Sequence, residues 1–275
     1  MTYSELMKSH LGSYKTTHLR IYASGKWRNR EYSHILPLAK MMMNILEPIQ
    51  HDFAQYQASH PNLKLHKDFA HLNSSQAACI NLFLPLLSER MAVKEHDQNL
   101  LPFDSAIIDT YEFEYVPNEV EGTNFDFWAR TEASKEIFCE FKLTEGGFGR
   151  ATDDKRHRQK LENIYLPMLT GKVSPDMLVP TRFFSRYQLL RNIAYADSSG
   201  SASVLFVVPK ANERLIQPLA EMRNWLAPTI RPFVSVVYLE DIVSEFRTGR
   251  DPDLAAYYDA YAEKYLPQDY DDDSD

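Results

Sequence analysis

One stretch of the chain, Thr123 to Glu145 (TNFDFWARTEASKEIFCEFKLTE), limits the possible folds more than any other. Two short runs rich in Phe, Trp and Ile flank a polar connector, Thr131 to Glu136. Such runs are typical of strands, and a short polar connector between them is typical of a hairpin. The sequence therefore predicts a β-hairpin, and the rest of the chain must supply the sheet that contains it.

Alternation sorts the side chains of this hairpin onto two opposite faces. The apolar face carries alternate residues of both strands, namely Phe125, Phe127, Ala129, Ile137, Cys139 and Phe141. If the connector is centred near Ala133, Asp126 lies opposite Glu140 on the other face. Lys142 then follows one step further along the same face. Two carboxylates and an ammonium group are thus predicted to share one small patch.

This patch suggests a metal site. Two neighbouring carboxylates repel each other unless a cation lies between them, and oxygen ligands select a hard ion such as Mg²⁺. The ion would polarise a phosphodiester and acidify a bound water, while Lys142 would position that water or stabilise the developing charge. Glu112 and Glu114 share a face of the strand predicted at Ala106 to Val116, and one of them could join the site. A solvated sheet face with inert charges remains the alternative.

Asp126 and the run Glu140-Phe141-Lys142, on consecutive predicted strands, resemble the PD-(D/E)XK nuclease superfamily, the restriction-endonuclease-like phosphodiesterases. The resemblance implies that Asp126, Glu140 and the backbone carbonyl of Phe141 bind Mg²⁺, for which Mn²⁺ can substitute. It also implies that Lys142 assists the hydrolytic water. Phe125 stands where the motif has Pro, a departure that many members of the superfamily share.

Two glutamines are further candidates through the same resemblance. His71 to Leu87 resembles the leading helix of one bacterial branch, which implies that Gln76 contacts substrate or a metal-bound water. An ordinary polar residue in a first helical turn is the alternative for Gln76. In several branches a Gln on a helix after the catalytic strand approaches the site, and Gln188 could fill that role.

The charge pattern bears on the partner. A formal net charge of −8 opposes a nucleic-acid partner, but the last seven residues hold five aspartates, and without those five charges the net charge is −3. Local basic patches decide whether a phosphate backbone is attracted. A basic cluster follows the hairpin, and we predict that its members line a phosphate path: Arg150, Lys155, Arg156 and Arg158. An exposed helix or loop face is the alternative.

Several classes of protein fit the sequence poorly. No apolar run approaches the ~20 residues that a membrane span needs, and the N-terminal residues lack the apolar segment of a signal peptide. We therefore expect a cytoplasmic protein without a membrane partner. Cys79 and Cys139 have no His or Cys companions nearby, which argues against zinc and against a disulfide framework. The glycine-rich turn at 146–149 is not followed by the Lys and Ser of a nucleotide-binding loop.

Other patterns complete the predicted fold. Helical spacing of apolar residues predicts one long amphipathic helix from Ser33 to about Ala58. Two continuous apolar runs, Ala202 to Val208 and Phe233 to Leu239, are typical of strands buried on both sides. A helical pattern lies between them, which indicates strands added parallel to the sheet through a crossover helix.

These predictions combine into an α/β fold with a restriction-endonuclease-like core. Its mixed central sheet has an antiparallel meander plus added parallel strands, flanked by helices. The predicted domains are an N-terminal helical extension (1–65), a nuclease domain (66–266) and a disordered acidic tail (267–275). The predicted function is Mg²⁺-dependent hydrolysis of DNA by a restriction or defence-type endonuclease. A catalytically silent module that binds nucleic acid or a protein partner is the alternative, and a homodimer stays open.

Overall fold

The computed structural model describes residues 1–87, 108–248 and 251–267. The described residues form two compact units. The first unit comprises residues 1–87, 209–212, 238–248 and 251–267, and the second comprises residues 108–208 and 213–237. Residues 268–275 of the predicted tail lie outside the described residues, and the predicted domain boundary after residue 65 stays a prediction.

The strands are β1 (Gly25–Trp27), β2 (Arg30–Tyr32), β3 (Ile108–Tyr115), β4 (Phe125–Thr131), β5 (Glu136–Phe141), β6 (Ala202–Val208) and β7 (Val234–Tyr238). The α-helices are α1 (Tyr3–Thr17), α2 (Gln50–Ser59), α3 (Ser75–Leu87), α4 (Lys155–Lys160), α5 (Leu166–Leu169), α6 (Pro180–Ser185), α7 (Tyr187–Ile193), α8 (Glu213–Trp225), α9 (Leu239–Arg247) and α10 (Pro252–Tyr265). Shorter 3₁₀ and π turns are Leu38–Asn44, Glu47–Ile49, Leu161–Tyr165, Pro175–Leu178 and Arg231–Phe233.

A five-stranded mixed sheet has the order β3-β4-β5-β6-β7. The pairs β3/β4 and β4/β5 are antiparallel, whereas β5 and β6 run parallel. The meander and the added parallel strand were both predicted, because alternating runs favour antiparallel strands and continuous apolar runs favour buried parallel ones. The α/β prediction with a mixed central sheet is confirmed.

Both faces of the hairpin β4–β5 are covered. Phe127 and Cys139 are fully buried on the predicted apolar face. On the opposite face Trp128 and Phe138 are also buried, at 4% and 3% exposure. On that face Glu140 is buried and Asp126 and Lys142 are partly buried, whereas Arg130 is exposed, so the two carboxylates do not form an open, solvated surface.

The prediction of one long helix from residue 33 to residue 58 is wrong. The 3₁₀ turns Leu38–Asn44 and Glu47–Ile49 precede α2, which begins only at Gln50. Pro48 explains the break, because proline lacks the amide hydrogen that a continuous helix requires and clashes with the preceding turn. Within the described ranges, no helix has the length and apolar character needed to cross a membrane.

Candidate active site

The hairpin brings Asp126 and Glu140 onto neighbouring strands. The register pairs Phe127 with Cys139, so the next position along the ladder sets Asp126 against Glu140. The side chain of Asp126 is held in place by the opposite strand, because the main-chain N–H of Phe141 donates to its Oδ2 at 2.7 Å. A tight connector in which Ser134 adopts a left-handed conformation (φ 59°) fixes this register.

Glu140 lies at the centre of a polar cluster and is only 2% exposed. The ammonium of Lys142 is 2.7 Å from its Oε1. The amide of Gln188 donates to the same oxygen at 2.7 Å, and the amide of Asn192 donates to Oε2 at 2.8 Å. Both oxygens of the buried carboxylate thus have partners, as a buried charge requires.

The charges in this cluster act on one another. Burial raises the pKa of Asp126 well above its usual value, and the negative charges of Glu140 and Glu114 raise it further. The positive charge of Lys142 and the N–H of Phe141 offset this only in part. Glu114 is one of the two glutamates predicted as a further acidic candidate, and its charge acts on Asp126.

The pKa of Lys142 is also raised, but for a lysine this favours the charged form. Burial lowers its pKa, but the neighbouring carboxylates, with Glu140 first, outweigh burial and raise the pKa above its usual value. The side chain of Lys142 is 13% exposed, so it can meet a ligand from outside while it contacts Glu140. Lys142 is thus held as an ammonium cation at neutral pH and is not available as a base.

Helix α7 and the glycine-rich turn position the two amides. The Oε1 of Gln188 accepts from the N–H of Gly149 at 2.7 Å, and the N–H of Gln188 donates to the carbonyl of Gly149 at 3.0 Å. A Cβ at position 149 would lie 3.3 Å from the Oε1 of Gln188, which is closer than ordinary contact. Glycine at this position therefore lets the turn approach the helix.

A second buried glutamate, Glu121, anchors the same helix near the start of β4. Its carboxylate accepts hydrogen bonds from Thr123, Tyr165 and Tyr195. The guanidinium of Arg191 on α7 lies 3.5 Å from Glu121 and donates to the hydroxyl of Thr123 at 2.9 Å. Burial alone would raise the pKa of Glu121, yet these hydrogen bonds outweigh it and lower the pKa.

The predicted central residues thus lie together, and one partner was missed. Asp126, Glu140, Lys142 and Gln188 form a single cluster. Asn192 belongs to it as well and was not proposed as a site residue, although its spacing of four from Gln188 placed both amides on one helical face. Gln76 belongs to the first unit, where its amide bonds the main chain of Lys64 and His66. Its role at the site stays a prediction.

The four predicted basic residues divide into two groups. Arg150 is exposed and lines a cavity beside the glycine-rich turn. Lys155, Arg156 and Arg158 are exposed on α4 and do not line that cavity. Arg158 is paired with Asp153 through two hydrogen bonds of 2.5 and 2.9 Å, so part of its charge is already neutralised.

The donors present suit a hard cation that is only partly held by protein. Within the described part of the chain, no group of three or more His, Cys, Asp or Glu side chains is arranged to hold a metal ion. Mg²⁺ is usually bound by one or two carboxylates, with water and substrate phosphates completing its shell. Asp126, Glu140 and the carbonyl of Phe141 match that donor set, and a cation there would relieve the repulsion that raises the pKa of Asp126.

Comparisons with known proteins give one match. A family model described as "Restriction Endonuclease associating with ARP" matches residues 8–266. No curated protein matches the chain, and no solved structure does. The matched range includes the hairpin, the glycine-rich turn and α7, so every residue of the cluster around Glu140 falls within it.

Proposed function

Because the chain belongs to the family of restriction endonucleases associating with ARP, we propose that it is a Mg²⁺-dependent nuclease of the PD-(D/E)XK type that hydrolyses DNA in defence. One observation supports this proposal above the others. Asp126 and Glu140 occupy facing positions of two strands, with Lys142 at 2.7 Å from Glu140. A cytoplasmic location and a DNA substrate are parts of the same proposal.

The residues have distinct roles in this proposal. Asp126, Glu140 and the backbone carbonyl of Phe141 would hold the cation. Mg²⁺, when bound, would polarise the scissile phosphate and lower the pKa of a water molecule. Lys142 would stabilise the negative charge that develops on the phosphate, because its ammonium is held in place before the reaction begins. Gln188 and Asn192 would orient Glu140 through its two oxygens.

The proton on Asp126 gives this site a defined pH response. The carboxyl of Asp126 holds its proton to an unusually high pH because burial and the charge of Glu140 disfavour ionisation. A carboxylate must be ionised to act as a ligand, so cation binding competes with that proton. Metal affinity should therefore rise with pH until Asp126 is fully ionised.

Cleavage and metal binding together test the proposal. Supercoiled plasmid, linear duplex and single strands are incubated with and without Mg²⁺, and Mn²⁺ binding is followed by calorimetry. Asp126→Asn and Glu140→Ala should lose both metal binding and cleavage. Lys142→Ala should keep metal binding while turnover falls by about 10²–10³.

The connector of the hairpin offers matched controls. Glu132 and Lys135 are exposed there, so Glu132→Ala and Lys135→Ala make the same changes in charge without touching the cluster. Both control variants should cleave like the wild type. Full cleavage by Glu140→Ala would end the nuclease assignment built on this hairpin.

A silent binding module is the second candidate, and one feature favours it. Lys142, Gln188 and Asn192 already satisfy both oxygens of Glu140, so the cluster is complete without an ion. A silent module should bind neither Mg²⁺ nor Mn²⁺ at these carboxylates and should leave every DNA substrate intact. The calorimetric titration therefore separates the two candidates before any cleavage assay.

A further inference from the structure

A cavity of about 670 Å³ opens beside the carboxylate cluster, entirely within the second unit. The glycine-rich turn, residues 146–149, forms one wall, and α8 forms another. Its volume falls in the range of about 300–1,000 Å³ that ligand sites occupy. Gln188 links the cavity wall to the cluster, since it accepts from the N–H of Gly149 at 2.7 Å and donates to Glu140 at 2.7 Å.

The cavity is basic although the whole chain is acidic. Its charged lining residues are Arg150, Arg186, Arg214 and Glu221, which leaves two positive charges in excess. Arg186 pairs with Glu221 at 2.7 Å and lies over the ring of Trp225 at 5.6 Å. Arg150 and Arg214 are exposed. Guanidinium groups bind phosphate oxygens through paired hydrogen bonds, which makes arginine well suited to a phosphate backbone.

We propose that this cavity binds the phosphate backbone of the DNA strand next to the phosphate that is cut, with Arg150 and Arg214 as the main contacts. The inference rests on the proposed nuclease function and adds the path of the strand. A free nucleotide is less well matched, because Arg150 follows the glycine-rich turn where a nucleotide-binding loop has Lys and Ser. The strand path runs from the cluster past Gly149 and not along α4.

DNA binding without cleavage tests the strand path. Anisotropy of a labelled duplex and of a labelled single strand is measured over a range of salt, in EDTA so that no cutting occurs. Arg214→Ala and Arg150→Ala should each weaken binding several-fold and reduce the slope of log affinity against log salt. The expected reduction is about 0.9 for duplex and about 0.7 for single strands per lost contact.

Arg223 provides the matched control. It lies on the same helix as Arg214, is exposed and does not line the cavity. Arg223→Ala should bind DNA with the wild-type slope. An equal loss with Arg223→Ala, or no loss with the Arg150 and Arg214 variants, would overturn the strand path. Melting temperatures confirm that each variant is folded.

Two further measurements on the same variants, ATP binding and DNA cleavage, separate this inference from a nucleotide site and from the nuclease assignment. If ATP binding, and not DNA binding, depends on Arg150 and Arg214, the cavity is a nucleotide site and the strand path is wrong. If the arginine variants lose DNA binding while the wild type cuts no DNA, the strand path stands and the nuclease assignment falls. If the wild type cuts DNA and both arginine variants bind and cut like Arg223→Ala, only the strand path falls.

Discussion

Asp126 carries a carboxyl group in a place that disfavours negative charge. It is partly buried, it faces Glu140 across the hairpin, and the charge of Glu114 acts on it as well. Lys142 compensates part of this repulsion, but burial and the two glutamates prevail and raise the pKa of Asp126. The pKa of Asp126 is therefore higher in the folded protein than in the unfolded chain. Such a difference makes the free energy of unfolding depend on pH.

The first prediction follows from this linkage. The stabilising effect of protonated Asp126 is complete below its unfolded pKa of about 3.9 and is lost as the pH rises through the raised folded pKa. Asn cannot ionise, so Asp126→Asn should melt at the wild-type temperature near pH 4 and above it at pH 7–8 in EDTA. Each kcal/mol added to the free energy of unfolding should raise the melting temperature by about 2–4 °C. Glu132→Gln changes an exposed residue and is the control, so it should melt at the wild-type temperature at every pH. If the difference in melting temperature between Asp126→Asn and the wild type narrowed with rising pH, the argument would be contradicted.

The sequence could predict part of this site and not the rest. Strand alternation and a short connector suffice to set Asp126 against Glu140 and to bring Lys142 to the same face. Asn192 contacts Glu140 across a separation of 52 residues. The spacing of four between Gln188 and Asn192 places both amides on one helical face, but no local pattern tells which sheet residue that face will contact.

At the scale of elements, helix α3 shows how a local defect is repaired from far away. Pro85 lies inside this helix and has no amide hydrogen for the carbonyl of Asn81, four residues earlier. The hydroxyl of Tyr257 on α10 donates to that carbonyl at 2.7 Å. The adjacent Tyr258 donates to the carbonyl of Leu82 at 2.6 Å. Residue 86, four positions after Leu82, has an amide hydrogen that can donate to the carbonyl of Leu82. That carbonyl therefore depends less on Tyr258 than the carbonyl of Asn81 depends on Tyr257.

The second prediction uses this difference. Tyr257→Phe should leave the buried carbonyl of Asn81 without a partner and lower the free energy of unfolding by about 1–3 kcal/mol. Pro85→Ala restores the N–H that can donate to the carbonyl of Asn81. In the Pro85→Ala background, Tyr257→Phe should therefore lower the free energy of unfolding by less than it does in the wild type. A double-mutant cycle by chemical denaturation measures this coupling. Tyr258→Phe is the control and should combine additively with Pro85→Ala; equal coupling for both tyrosines would contradict the proposed repair.

Element prediction succeeded and failed for identifiable reasons. The strand at Ala202–Val208 was found at its predicted bounds, because a continuous apolar run that contains β-branched residues is typical of a strand buried on both sides. The helix predicted from residue 33 to residue 58 failed, because apolar spacing persists through 3₁₀ turns while Pro48 prevents a continuous helix. In that stretch Pro48 determines where the helix can begin, and the spacing of apolar residues does not.

At the scale of the whole molecule, the first unit joins parts of the chain that are far apart in sequence. Helix α10 bonds α3 across a separation of 176 residues. The residues of α3 and α10 lie far apart in the chain, and no local pattern in either segment identifies the other as its packing partner. The assembly of this unit therefore could not be predicted from the sequence of either helix alone.

The last prediction concerns charge over the whole chain. Removing residues 269–275 takes away five aspartates and changes the formal net charge from −8 to −3. Like charge slows the approach of DNA, and salt screens this effect with a Debye length of about 10 Å at 0.1 M. The shortened protein should therefore associate with DNA faster at low salt, by stopped-flow anisotropy, and at the wild-type rate at high salt. A full-length variant with Asn at the same five positions separates charge from length and should behave like the deletion. An acceleration that persists at high salt, or one seen only in the deletion, would show that the tail acts through contacts and not through its charge.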